Sequence, residues 1–406
     1  MQRDGGATQA ATVAENSAAG DVVARAMALR SVFGITRIAN LTGLDRTGVP
    51  VVMVCRPNAR SSAVFNGKGL DVAAAKASGV MEAVETWHAE NVALPLRFAS
   101  AADLENRLEL VDLDGLARIP GARLDRRAPM LWVKGRNLMD GRRIWLPFEI
   151  VHADWRASGP PASNCFAMST NGLSSGDSFF GAVRHALCEI IERDATSLWH
   201  QLSAAEQEAA RVDLATVDDA NSLALLDLLA KAGLDVGVWD ITTDVGVSVY
   251  QCVLRDCGGH IAHIGVGAAC HPRREVAFLR AVLEAAQVRT TYVIGSREDI
   301  DEADYAEATL ARRDAEARAL LRPTGRTRSF ASAPNAVLES SQQEVGWILN
   351  RLRSIGLTQA IVVDLTKPEY AIPVVRVVVP GLEGSDHHAA QYLPGPRART
   401  ARESRP

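Results

Sequence analysis

Asn171-Gly172-Leu173-Ser174-Ser175-Gly176 is followed in this chain by Glu189-Ile190-Ile191-Glu192. A glycine-bearing segment leads, about one helix later, to two carboxylates three residues apart. The arrangement occurs twice more. Asn66-Gly67-Lys68-Gly69 precedes Glu82-Ala83-Val84-Glu85, and Gly265-Val266-Gly267 precedes Glu284-Ala285-Ala286-Gln287. Residues three apart share one face of a helix, so each pair aims two oxygen-bearing side chains at one point. Around the first pair the neighbours are small or apolar: Ala73, Ala74, Ala75, Ala77, Val80, Ala83 and Val84. A glutamate among such residues is costly to bury unless a cation or a donor compensates it. Converging carboxylates repel one another, and a hard divalent cation is the usual remedy; Mg2+ in turn keeps substrate phosphates among its ligands. The three copies together therefore point to a metal–nucleotide site. A single Glu-x-x-Glu is ordinarily a solvated helix face. The repetition of loop, apolar helix and carboxylate pair argues against that here, and the copies lie too far apart for a solenoid repeat.

Outward from these motifs, strands and helices alternate. Gly34–Leu41 and Val49–Cys55 read as a hairpin about the turn Asp45-Arg46-Thr47-Gly48, and Ala63–Phe65 as a short strand. The motif helices are expected over about Leu70–Asn91, Ser178–Gln201 and Glu275–Gly295, with further helices at Asp218–Ala232, Glu302–Leu321 and Ser340–Gly356. Other strands are expected at Leu131–Val133, Arg143–Ile150, Val236–Ile241, Val247–Arg255, His260–Ala268, Gln359–Asp364 and Pro373–Val379. This alternation is that of an α+β (mixed α/β) fold. The interleaved motifs argue one large unit over residues 31–384. Residues 1–30 read as a flexible tail leading into a short helix, and residues 385–406 as a flexible, polar, proline-containing tail.

Composition excludes several classes. The 406 residues are 47% hydrophobic and 23% charged, as in ordinary globular proteins. A net charge of −4 leaves no footprint for nucleic acid. No apolar run is long enough to span a membrane, and Met1–Gly20 lacks the apolar core of a secretory signal, so a cytoplasmic protein is expected. Six scattered cysteines make no disulfide framework. Cys252, Cys257, His260, His263, Cys270 and His271 match no standard zinc spacing and alternate like a hairpin turning at Gly258-Gly259. There is no G-x-x-x-x-G-K-[ST] loop, so a nucleotide must be held through carboxylates and metal.

At the three motifs the chain resembles the YcaO family, which activates peptide backbone amides with ATP. The resemblance runs from about residue 34 to 384. It is carried by Asn66-Gly67-Lys68-Gly69 with Ala77-Ser78-Gly79-Val80-Met81-Glu82-Ala83-Val84-Glu85, by Asn171-Gly172-Leu173, and by His185-Ala186-Leu187-Cys188-Glu189-Ile190-Ile191-Glu192-Arg193-Asp194-Ala195. Leu283-Glu284-Ala285-Ala286-Gln287-Val288-Arg289 and Val374-Val375-Arg376-Val377-Val378-Val379-Pro380-Gly381-Leu382-Glu383 complete it. The resemblance implies that Glu82, Glu85, Glu189 and Glu192 ligate Mg2+ bridging the ATP phosphates. It implies that Arg193 and Arg289 meet phosphate oxygens, where a guanidinium pairs two oxygens at once, and that Ser78, Glu284 and Gln287 complete the nucleotide pocket. Lys68 reads either as a phosphate ligand or as a solvated loop lysine, and Arg193 either as a phosphate ligand or as a surface partner of Glu189. His185 reads as a packing or hydrogen-bonding residue rather than a base. Two departures stand out: Thr86 occupies the place of an arginine usual after Glu85, and Gly181 the place of a frequent carboxylate.

The family's implied chemistry is phosphorylation of an amide oxygen in a ribosomal peptide or protein, followed by attack of a nucleophile. A neighbouring Cys, Ser or Thr gives an azoline, an external sulfur source a thioamide, and an amine an amidine. Azoline formers often end in Pro-x-Pro-x-Pro, whereas this chain has Pro394-Gly395-Pro396 followed by Arg397-Ala398. Leu41-Thr42-Gly43-Leu44-Asp45-Arg46-Thr47-Gly48-Val49-Pro50 resembles members that occur with a TfuA-like partner, for which a thioamide is expected. Thioamide formation is the favoured reading and azoline formation the alternative. A TfuA-like or leader-peptide-binding partner and a homodimer are also implied. Two rivals belong to other classes: a di-metal hydrolase without nucleotide, which leaves Arg193 and Arg289 unexplained, and a noncatalytic nucleotide-binding scaffold that activates a partner.

Overall fold

Each motif helix lies against the strand that carries its glycines, and the fold grows from three such units. The computed structural model describes residues 20–258, 263–322, 325, 327–384 and 393–403. The chain begins with α1 (20–28), then β1 (Arg37–Asn40), β2 (Val51–Cys55), β3 (Val64–Lys68) and α2 (Val72–Glu90). It continues through β4 (Leu96–Ser100), α3 (Ala101–Leu104), β5 (Pro129–Asn137), β6 (Arg143–Pro147), β7 (Leu173–Ser175) and α4 (Phe179–Trp199). Next come α5 (Ala204–Ala209), β8 (Val212–Asp213), α6 (Ala220–Lys231), β9 (Leu234–Asp240), β10 (Val249–Asp256), β11 (Gly265–Cys270) and α7 (Arg274–Ile294). The chain closes with α8 (Glu307–Leu321), β12 (Arg328–Ser329), α9 (Ser341–Ser354), β13 (Ile361–Asp364), β14 (Val374–Val378) and α10 (Pro396–Glu403).

The strands form antiparallel sheets in the orders β1-β2-β3, β11-β10-β9 and β4-β5-β13-β14-β7, with β6 on β5; β8 and β12 make a short parallel pair. The motif helices are packed cyclically. α2 lies on β3 and also touches β7, α4 lies on β7 and touches β11, and α7 lies on β11 and touches β3. Each helix thus covers its own leading strand and that of a neighbouring motif, which draws the three carboxylate faces to a common centre.

The glycines make this packing possible. A Cβ on Gly67 would stand 2.1 Å from the Ala75 carbonyl oxygen and from the Gly79 nitrogen of α2, and one on Gly267 would stand 2.3 Å from the Ala285 nitrogen of α7. Only a residue without a side chain lets strand and helix backbones approach so closely. The helices start where the sequence offers caps. Asp71 accepts from the Ala74 N–H at 2.7 Å and Ser178 from the Gly181 N–H at 3.0 Å, while α7 ends at Gly295 in the left-handed region. Behind the helices, separate apolar clusters gather around Trp132 and Val133, around Leu187 and Ile191, and around Phe278 and Val282.

The mixed α+β class and the motif helices stand as read from sequence, but several local expectations change. The strand expected from His260 begins at Gly265, with residues 259–262 outside the described set. The strand from Arg143 stops at Pro147, whose nitrogen has no hydrogen to extend a ladder, and a 3-10 turn covers Phe148–Ile150. The chain carries a helix toward each end. Helix α1 buries Val22 and Ala26 in the core, because these two residues fall four apart on one helical face. Helix α10 is held down by Arg397, whose Nε meets Asp194 at 2.9 Å, and by Glu383, which accepts from the Gly395 and Ala398 N–H groups at 2.7 and 2.9 Å.

Candidate functional site

Glu82 and Glu85 from α2 and Glu189 from α4 line one cavity of about 320 Å3, together with Arg297, Trp155 and Thr170. Side-chain contacts tie the motifs to one another. The Glu85 carboxylate oxygen Oε1 accepts from the Ser175 N–H at 2.8 Å and from its hydroxyl at 2.7 Å, joining the first motif to the second. Lys68 Nζ lies 3.2 Å from Glu284 Oε2, joining the first to the third. Arg193 stands 3.3 Å from Glu192 and 4.0 Å from Glu189.

The electrostatics record the convergence. Burial pushes Glu82 up to about 7; Glu284 and Glu189 add to the rise while Lys68 and Arg297 oppose it. Burial raises Glu85 to about 8, aided by Glu82 and Glu189 and opposed by the Ser175 hydrogen bonds. Glu189 is raised chiefly by burial and drawn back by Arg193 and Arg376. Glu192 rises to about 8 by burial, with Arg193 opposing and Glu284 and Glu189 adding. Carboxylates from all three helices therefore feel one another, and nearby cations offset them only in part.

Mg2+ fits this donor set. Its oxygens are hard ligands, and ionised carboxylates that repel one another gain most from a divalent cation. Oε1 of Gln287, three residues after Glu284, is a buried acceptor without a hydrogen-bond partner among the described residues, as is Oδ1 of Asn171 beside the cavity-lining Thr170. No group of three or more His, Cys, Asp or Glu among the described residues forms a ready-made metal cage.

The remaining sequence candidates fall in different places. Ser78 is exposed, one helical turn before Glu82. Arg289 has partners of its own in the fold. It is buried, its Nε and Nη2 take both oxygens of Asp45 at 3.1 and 3.3 Å, and its Nη1 donates to the His263 carbonyl at 2.8 Å. Through these bonds Arg289 fastens the 41–50 segment to α7. His185 is hydrogen-bonded: Arg184 donates to its Nε2 at 2.7 Å, so the ring proton sits on Nδ1 and points to the Ser175 carbonyl at 3.3 Å. Burial and Arg184 push its pKa down, which keeps it neutral. Thr86 is buried and its hydroxyl donates to the Glu82 carbonyl at 3.0 Å. Where a Cβ at Gly181 would begin, Asp177 Oδ1 lies only 2.2 Å away, so a carboxylate from four residues earlier stands at that position.

Sequence reasoning missed Arg297 and Arg376. Arg376 is buried and donates to the carbonyls of Asn171, Ser169 and Val151 at 2.7, 2.8 and 3.3 Å, fixing the loop that leads into the second motif. It was present in the quoted strand, and a lone arginine within Val-Val-Arg-Val-Val was the available signal.

The fold and the site define a protein of mixed α and β structure with a carboxylate-lined cavity. Residues 66–383 match the family model described as YcaO cyclodehydratase, ATP- and Mg2+-binding, and the chain belongs to the YcaO family. ATP and Mg2+ are the cofactors of that family. A protein from the tfuA 3' region of Rhizobium leguminosarum bv. trifolii is 35% identical over 358 residues, 86% of this chain and 84% of that one. The structure of YcaO from Methanopyrus kandleri bound with AMPPCP and Mg2+ superposes with a TM-score of 0.72 at 24% identity, covering 94% of both chains. A heterocyclase in complex with substrate and cofactor matches with a TM-score of 0.72 at 22% identity over 86% of this chain, which spans half of the heterocyclase. No helix among the described residues is long and apolar enough to cross a membrane.

Proposed function

We propose that this chain activates a backbone amide of a ribosomally made peptide or protein by ATP-dependent phosphorylation of the amide oxygen, and that the product is a thioamide. The observation that carries the reading is the meeting of Glu82, Glu85 and Glu189 on one cavity, with Glu192–Arg193 and Lys68–Glu284 alongside. Bound ATP and Mg2+ would supply the phosphoryl group that turns the amide oxygen into a leaving group. Ionised Glu82, Glu85, Glu189 and Glu192 would hold the metal, and Ser175 keeps Glu85 oriented for it. Lys68 and Arg193 would stand at phosphate oxygens, with Glu284 and Gln287 closing the pocket and Ser78 at its edge. The exchange balances when a sulfide-level donor adds to the activated carbon, phosphate leaves with the original oxygen, and the amide nitrogen keeps its hydrogen.

The relative from the tfuA 3' region supports the thioamide outcome and a TfuA-like partner for this chain. So does the 41–50 segment, which Asp45 and Arg289 hold in one place. We further propose a cytoplasmic homodimer. The second reading, azoline formation, has the family's cyclodehydratase description behind it. Mass spectrometry of the candidate peptide after reaction with ATP, Mg2+, sulfide and a TfuA-like protein separates the two. Replacement of oxygen by sulfur supports the thioamide, and loss of one water supports the azoline. ATP turnover that the peptide does not stimulate, with no product, would favour a noncatalytic scaffold.

A further inference from the structure

Arg297 has no place in the three motifs, yet it lines the same cavity as Glu82, Glu85 and Glu189. Among the described residues that line the cavity it is the one cation. It sits two residues beyond Gly295, where α7 ends in the left-handed region, on a short segment fixed at both sides. The next residue, Glu298, accepts from the Ala63 N–H at 2.5 Å and so pins the segment beside the start of β3. Asp299 takes Nε of Arg297 at 2.8 Å and Nη2 at 2.5 Å, a fork-like pairing that fixes the plane of the guanidinium. The charge of Arg297 is also felt at Glu82 across the cavity.

We propose that Arg297 is a phosphate-binding residue of this site, contacting the terminal phosphate of ATP. The inference rests on the ATP reading above and adds a residue to it. A guanidinium held by a carboxylate on one edge keeps its other edge ready for a planar pair of phosphate oxygens at little cost in side-chain freedom. It also supplies charge beside Glu82 and Glu85, where Thr86 provides none. Arg193 pairs with Glu192 and Lys68 with Glu284, so Arg297 adds a further cation beside Glu82.

The test is calorimetric titration of wild type, Arg297→Gln and Arg297→Lys with the ATP analogue AMPPCP and with ADP, each with Mg2+. A lost charged contact to the terminal phosphate lowers AMPPCP affinity of Arg297→Gln by about tenfold or more and leaves ADP affinity nearly unchanged. Arg297→Lys regains part of that loss. Thermal melts of Asp299→Asn beside Arg297→Gln report what the ion pair alone does to the fold, so a general destabilisation is recognised as such. Equal losses for AMPPCP and ADP, or no loss for either, overturn the proposal. Wild-type protein that binds neither nucleotide overturns the ATP reading itself, an outcome distinct from a failure of Arg297 alone.

Discussion

Lys68 Nζ stands 3.2 Å from Glu284 Oε2, so one ion pair joins the strand of the first motif to the helix of the third. Both side chains are about one-quarter exposed, and a pair so placed is worth less than about 1 kcal/mol to the fold. Its larger effect falls on its neighbours, since Lys68 draws down the pKa of both Glu82 and Glu192. Lys68→Gln is expected to melt close to wild type yet release more protons when Mg2+ and nucleotide bind at neutral pH. Titration in buffers of different ionisation heat measures this, and an unchanged proton release would contradict it.

Acid–base behaviour follows from the same cluster. Glu82, Glu85 and Glu192 carry folded-state pKa values of about 7, 8 and 8 against an ordinary 4.5. Between 4.5 and about 8 the folded state therefore holds more protons than the unfolded chain, so stability falls as pH rises through that window. Metal binding needs the ionised forms and runs the other way, tightening as pH rises. Thermal melts across the window should show the metal-free protein weakening toward high pH and Mg2+ with nucleotide offsetting the loss. A melting temperature that rises with pH in the metal-free protein is the contrary result.

Asp45 and Arg289 form a buried pair that fastens the 41–50 segment. Asp45→Asn leaves the guanidinium in place without its counter-charge and is expected to cost about 3–5 kcal/mol of stability. Chemical denaturation checks this. A variant as stable as wild type would contradict it.

Gly67→Ala tests the close approach of β3 and α2. Because the added carbon would meet backbone at 2.1 Å, α2 must shift, at an expected cost of about 1–3 kcal/mol or more. The shift moves Glu82 and Glu85 as well, so nucleotide affinity should fall with stability. Normal stability and normal affinity together would show that the contact is not needed.

The motif helices were legible because their period and caps are local, and the carboxylate pairs because three copies repeat one order of residues. What escaped depends on distant parts of the chain. β7 is three residues long, and its partner β14 begins at Val374, so nothing in Leu173-Ser174-Ser175 marks it as a strand. The pairing of Arg289 with Asp45 could not be read locally, because Asp45 lies 244 residues earlier. Arg297 is an isolated loop arginine whose neighbourhood is set by where α7 stops and by the contact of Glu298 with Ala63. Asp177 stands in for a side chain at Gly181 only once α4 has formed.

The central claim is that converging glutamates bind ATP through Mg2+. Its most direct test is calorimetric titration of ATP with Mg2+, and again with EDTA, on wild type and on Glu192→Gln. Binding that requires the metal and that Glu192→Gln weakens by about 1–3 kcal/mol is the expected result. Binding that is equal with and without metal, or unaffected by Glu192→Gln, would contradict it.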